Sequence, residues 1–148
     1  MTLLSASLVG TWELVSREDH NTAGELRPEP ALGAYPLGLL IYDSSGRFAA
    51  QFMKRDRTAQ SPDIRTTAPS ANNTRAKDGY DAYFGSYVVD DARRTVTQTL
   101  HAALSAESVG HVVTREMVVE GDALVIKLNT TSVSGEAVTR TLRWRRVA

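Results

Sequence analysis

The sequence predicts an all-β fold, a single eight-stranded antiparallel up-and-down barrel spanning residues 1–148. Three observations predict it. Gly10-Thr11-Trp12 places a Gly-x-Trp at the start of an amphipathic strand near the N-terminus. Apolar alternation then recurs in short stretches, punctuated by hairpin-type turns. One polar insert, around residues 54–79, interrupts the pattern. Eight strands in this arrangement close a barrel with room for one small ligand.

Residues 2–8 read as a short helical cap or as a loosely ordered segment. The first strand covers 10–18, with Trp12 and Leu14 on one face and Ser16 following them inward. Residues 19–36 carry Asp19, Asn21, Gly24, Pro28, Pro30, Gly33 and Pro36, which reads as a long surface loop. Strands at 38–42 and 47–53 flank the turn Asp43-Ser44-Ser45-Gly46 and pair as a hairpin. Within the insert, Ser61-Pro62 and Ala68-Pro69 break regular structure. Ser70 caps a short helix over 71–78, ending near Gly79. A polar segment of this length in a compact β domain reads as a lid or binding loop, or as a plain surface excursion. Strands return at 83–89, 94–103, 109–120, 123–133 and 137–147, joined by short turns.

Composition narrows the function classes. Seventeen Lys+Arg balance seventeen Asp+Glu, so the chain lacks the basic excess of a nucleic-acid-binding surface. With no cysteine there is no disulfide, zinc-thiolate site or cysteine nucleophile. No apolar run approaches the roughly 20 residues of a membrane span, and Met1–Ser7 lacks the marks of a signal peptide. The expectation is a cytoplasmic protein, monomer or homodimer, with neither nucleic acid nor membrane as partner.

The chain resembles the lipocalin-like domain family of small cytosolic, mainly bacterial and fungal proteins with calycin-type barrels. The resemblance rests on Leu8-Val9-Gly10-Thr11-Trp12-Glu13-Leu14-Val15-Ser16 and on Tyr35-Pro36-Leu37-Gly38-Leu39-Leu40-Ile41-Tyr42-Asp43-Ser44-Ser45-Gly46-Arg47. Tyr83-Phe84-Gly85-Ser86-Tyr87 and Val109-Gly110 with Arg115 complete it. The family often has a His where this chain has Gln98, and a Trp where it has Ser108. The resemblance implies a barrel with a cavity for a small hydrophobic or amphipathic molecule. Related barrels in secondary metabolism bind hydrophobic intermediates, and some act as cofactor-independent cyclases or isomerases.

Residue chemistry supplies candidate ligand contacts. Tyr42, Tyr83 and Tyr87 each offer an aromatic face and an orienting hydroxyl, or simply pack and bond to a neighbouring strand. His111, Val113, Arg115 and Met117 share one face of a strand. If it points inward, Arg115 meets a carboxylate, enolate or phenolate oxygen and His111 exchanges a proton. Gln51 and Gln98 are orienting amides, and Met53 completes the predicted lining. The candidates for catalysis are Arg115, His111 and Tyr87. His20, His101 and His111 show no metal-ligand spacing, and no phosphate loop or nucleophile elbow is present, so no metal or cofactor is expected. Late arginines are assigned to structure, with Arg143 or Arg145 lying across Trp12.

Overall fold

The computed structural model describes residues 2–57, 73–132 and 134–148. A one-turn helix, α1 (Leu4–Ser7), precedes nine strands. They are β1 (Gly10–Asn21), β2 (Leu26–Arg27), β3 (Leu37–Tyr42), β4 (Arg47–Met53), β5 (Tyr80–Asp90), β6 (Thr95–Ala103), β7 (Val112–Glu120), β8 (Ala123–Thr131) and β9 (Ala137–Arg146). All pairings are antiparallel, and sequential neighbours pair from β3 to β9. β1 bonds to β3 on one side and to β9 on the other, which closes an eight-stranded barrel. Closure leaves no free edge among those eight strands. β2 is the extra strand. It folds back on the end of β1, opposite Asp19 and His20.

The walls follow strand alternation. Leu40 and Tyr42, then Phe48, Ala50 and Phe52, face inward from β3 and β4. Val96, Gln98 and Leu100 do so from β6, and Val113, Arg115 and Met117 from β7. The expected inward order of β1 changes halfway along. Leu14 opposes Trp144 and Ser16 opposes Arg143, so Val15 is an extra residue in the ladder. Such a bulge reverses the facing of everything after it. Arg17 and Asp19 therefore turn inward where alternation predicted Ser16.

The end of the barrel carrying the N-terminus is closed. Trp12 is fully buried there, and its Nε1 donates to the Leu8 carbonyl at 3.0 Å. The cation across its ring is Arg146, 4.2 Å from the centroid, and not Arg143 or Arg145. The register explains the difference: Trp12 sits opposite Arg146, whereas Arg143 and Arg145 project outward on β9. Arg146 also donates to the carbonyls of Val9 and Ser7, and Asp91 receives the backbone N–H and hydroxyl of Ser5 at 2.8 Å each. These bonds bind α1 to the floor.

Three segments depart from the expected elements. Residues 19–36 contain β2, and Leu32 is 2% exposed, so this segment also covers part of the interior. No helix forms over 73–78; residues 71–72 lie outside the described residues, as does the rest of 58–72. Lys77 and Tyr80 exchange backbone hydrogen bonds around Asp78 (φ 53) and Gly79 (φ 72). Asp-Gly with positive φ at both positions is a two-residue hairpin turn, so Gly79 reverses the chain instead of ending a helix. Finally, 109–111 belong to the turn before β7, because Gly110 (φ 84) bends the chain at the point expected to be strand.

Candidate ligand-binding cavity

The interior holds a cavity of about 50 Å³. Its apolar wall comes from Leu40, Phe52, Met117, Ile126, Leu142 and Trp144. Its polar lining is Arg17, Asp81, Tyr83, Gln98, Arg115 and Arg140, with Tyr42 between the two. Asn73 and Thr74 lie at its mouth, brought there by the Lys77–Tyr80 turn that delivers the insert into β5.

Each buried charge in the lining has a hydrogen-bond or ion-pair partner, Arg115 donating to the Thr114 carbonyl at 3.2 Å. Arg140 makes two hydrogen bonds to Asp19, at 2.8 and 3.0 Å, and the two residues are direct cross-strand neighbours. Burial alone lowers the Arg140 pKa, but the hydrogen bonds and charge of Asp19 outweigh it and the net shift is upward. Arg17 pairs with Glu29 at 2.8 Å, both side chains being under 10% exposed. Burial and the neighbouring Arg140 lower Arg17. Arg115 is also lowered by burial, with Tyr83 and Tyr42 working against that effect. Asp81 is 5% exposed, and burial raises its carboxyl to about 6 although Thr74 donates to it at 2.6 Å.

The tyrosines divide. Gln98 donates to the Tyr42 hydroxyl, which approaches the Met117 sulfur at 3.9 Å. Burial drives the Tyr42 pKa well up and that of Tyr83 to about 12. Both phenols therefore remain protonated donors at neutral pH. Tyr87 packs edge-on against Tyr42 at 4.8 Å and donates to the Asp43 carbonyl in the hairpin turn, outside the cavity lining.

Of the residues expected in the site, Tyr42, Tyr83, Gln98, Arg115 and Met117 line the cavity together. Gln51 and Met53 do not: Phe52 between them faces inward, so alternation sends both to the outer wall. There the Tyr80 hydroxyl donates to Gln51 at 2.6 Å. His111 precedes β7 and lies two residues beyond Val113, outside the cavity lining, with its Nδ1 buried and unbonded among the described residues.

Sequence reasoning passed over Arg17, Arg140, Asp81, Thr74 and Trp144 as cavity residues. For Asp81 a signal existed. Extending the phase of Tyr83 back by two residues puts Asp81 inward, as the longer β5 does. For Arg17 there was none, because the bulge at Val15 inverts the pattern.

The donor set suits an oxygen-bearing organic molecule. Among the described residues no group of three or more His, Asp or Glu side chains is placed to hold a metal ion. No helix among them is long and apolar enough to cross a membrane. Among curated proteins, none matches the chain. The model of the lipocalin-like domain matches residues 9–147, from the strand bearing Trp12 to the residue after β9. The closed antiparallel barrel agrees with that match, which covers most of the sequence, and the chain belongs to the lipocalin-like domain family.

Proposed function

We propose that this barrel binds a small hydrophobic or amphipathic molecule, with Arg115 orienting an oxygen of the ligand. One observation carries the reading: a cavity inside the barrel has an apolar wall and, in the same lining, Arg115, Tyr42, Tyr83 and Gln98 as polar groups. This is the usual make-up of a ligand pocket, in which apolar area supplies affinity and a few donors supply orientation.

The experiment uses cyclohexanecarboxylate as an anionic probe, with a thermal melt and a titration on the same preparation. Arg115→Met roughly keeps the volume and removes the charge. The variant is expected to fold and to bind the probe at least tenfold more weakly, about 1.4 kcal/mol. Unchanged affinity in a folded variant removes Arg115 from the site.

A second reading, a cofactor-independent isomerase or cyclase, draws support from Asp81. A buried carboxyl at about 6 populates both protonation states near neutral pH, which suits a general acid–base. In that reading Asp81 takes a proton from carbon beside a carbonyl and returns it to another carbon. Arg115 and a tyrosine hold the enolate oxygen meanwhile. Deuterium wash-in to a ligand recovered from the protein, abolished in Asp81→Asn, is the expected result; no wash-in sinks the reading.

A further inference from the structure

Trp12 and Trp144 are both buried in the barrel, at 0% and 2% exposure, but their indole N–H groups fare differently. Trp12 donates to the Leu8 carbonyl at 3.0 Å. The Nε1 of Trp144 is buried and has no hydrogen-bond partner among the described residues. Trp144 also lines the cavity. A buried donor without an acceptor is uncommon in folded proteins and costs stability, so its persistence in a pocket wall calls for an acceptor that arrives from outside the chain.

We propose that the Trp144 indole N–H is a ligand-binding donor, and that the cavity takes a compact oxygenated hydrophobe whose leading, uncharged end carries a ketone or ether oxygen. This rests on the binding reading above and names the class of ligand for that same cavity.

The surroundings select this chemistry. The Trp144 ring meets Phe52 edge-on, with centroids 5.7 Å apart. Its cross-strand neighbours are Leu14 and Leu124. Leu40 and Leu142 share the apolar wall with it. A trapped water needs two to four polar partners, and this wall offers one donor. A carboxylate or phosphate entering here would need charge compensation as well. A neutral carbonyl or ether oxygen needs only the single N–H, and its carbon skeleton gains from the leucines and Phe52. The depth fits too. Arg140 and Trp144 are four residues apart on β9, roughly 13 Å along the strand, so the Arg140–Asp19 pair is well removed from the deep donor. The ligand thus advances its uncharged end toward the floor and leaves any charged end near the mouth.

The test is a titration of ¹⁵N-labelled full-length protein with cyclohexanone and, separately, with cyclohexane. Trp12 is the internal reference, because its N–H is already bonded to Leu8. Cyclohexanone is expected to move the Trp144 indole resonance downfield and leave that of Trp12 in place. Cyclohexane shifts the methyl resonances of Leu40 and Leu142 without the downfield indole shift. Trp144→Phe keeps a ring and removes the donor; it is expected to bind cyclohexanone about fivefold more weakly and cyclohexane as before. Cyclohexanone that shifts the leucine methyls and leaves the Trp144 indole resonance where it was overturns the donor role and leaves the binding reading standing. Equal cyclohexanone affinity in a folded Trp144→Phe does the same. If neither probe shifts any cavity resonance, the binding reading fails and this proposal fails with it.

Discussion

Asp81 sits in an environment that its side-chain type ordinarily avoids. It is a carboxyl 5% exposed, with Thr74 as donor and Arg17 and Arg140 near enough to moderate its charge. Burial still dominates, and the pKa rises from 3.8 to about 6. The folded protein therefore holds this proton more tightly than the unfolded chain does. Its contribution is most favourable below about pH 4, declines as pH rises to about 6, and stays diminished above that. Two pKa units correspond to a difference of up to ~3 kcal/mol. Asp81→Asn removes the ionisation and keeps an oxygen for Thr74. Urea midpoints of the variant and the parent are expected to diverge between about pH 4 and 6 and to run parallel above that, the variant gaining as pH rises through this window. A gap that is constant with pH shows that Asp81 does not titrate in this range. Arg140 and Asp19 present the opposite case, a buried pair matched in geometry at 2.8 and 3.0 Å. A pair of this kind is costly to break from one side and need not stabilise the fold outright. Little of this was legible residue by residue. Arg115, Tyr42 and Gln98 were readable because their strands keep strict alternation. Gln51 and Met53 were misplaced because their types suited a pocket while their phase, set by Phe48 and Phe52, did not.

At the scale of the strand, the two irregular positions matter more than the regular ones. The Val15 bulge in β1 is what carries Arg17 and Asp19 indoors and aligns Asp19 with Arg140. Propensity does not reveal it, since Val15 and Ser16 are ordinary strand residues and the extra residue shows only against the partner's register. The second irregularity lies between β5 and β6. Phe84 opposes Ala102 and Gly85 opposes Leu100, which leaves His101 as the extra residue. A Cβ on Gly85 would stand 1.8 Å from the Thr99 carbonyl oxygen and 2.9 Å from the His101 nitrogen. Those atoms are backbone and cannot swing aside, so Gly85→Ala must open the β5–β6 pairing. The expected loss is about 3 kcal/mol or more, at the upper end of overpacking effects. Soluble yield and the cooperativity of the far-UV melt check it; a melt matching the parent shows that the strands do not approach so closely. The hairpins, by contrast, were legible. Arg47–Met53 forms with the bounds read from its alternation, because the Asp43 carboxylate accepts from the backbone N–H groups of Ser45 and Arg47 and holds the turn. The helix read over 71–78 does not form in its described part, 73–78, where a strong local signal was attributed to the wrong element: Asp78-Gly79 is a hairpin turn.

Across the whole barrel the two ends are built differently, and the difference has a measurable consequence. The floor is sealed by Trp12, Leu8 and Arg146, all bonded or packed in place. The described part of the mouth strap, residues 73–79, is held by a few polar contacts. Asn73 reaches the Thr130 hydroxyl on β8 at 3.4 Å, Thr74 reaches Asp81, and Arg75 pairs with Glu107 in the turn before β7. The Glu107 side chain is 50% exposed, so that pair is worth at most about 1 kcal/mol. With the hydrogen bonds at about 1 kcal/mol each, the side-chain contacts of residues 73–75 hold this end of the strap by roughly 2–3 kcal/mol, against 5–15 for a typical domain. It is therefore expected to open many times for each global unfolding event. Backbone amides of 73–79 should exchange with deuterium far sooner than those of Trp12 and Leu14. Glu107→Gln should hasten exchange in the strap about threefold or more and leave the floor unchanged. Cyclohexanone should slow the strap, because a filled cavity adds contacts that exist only when the mouth is shut. Exchange at one common rate in strap and floor, with no response to Glu107→Gln, would mean that the barrel opens only by unfolding. A ligand would then have no route in through this end.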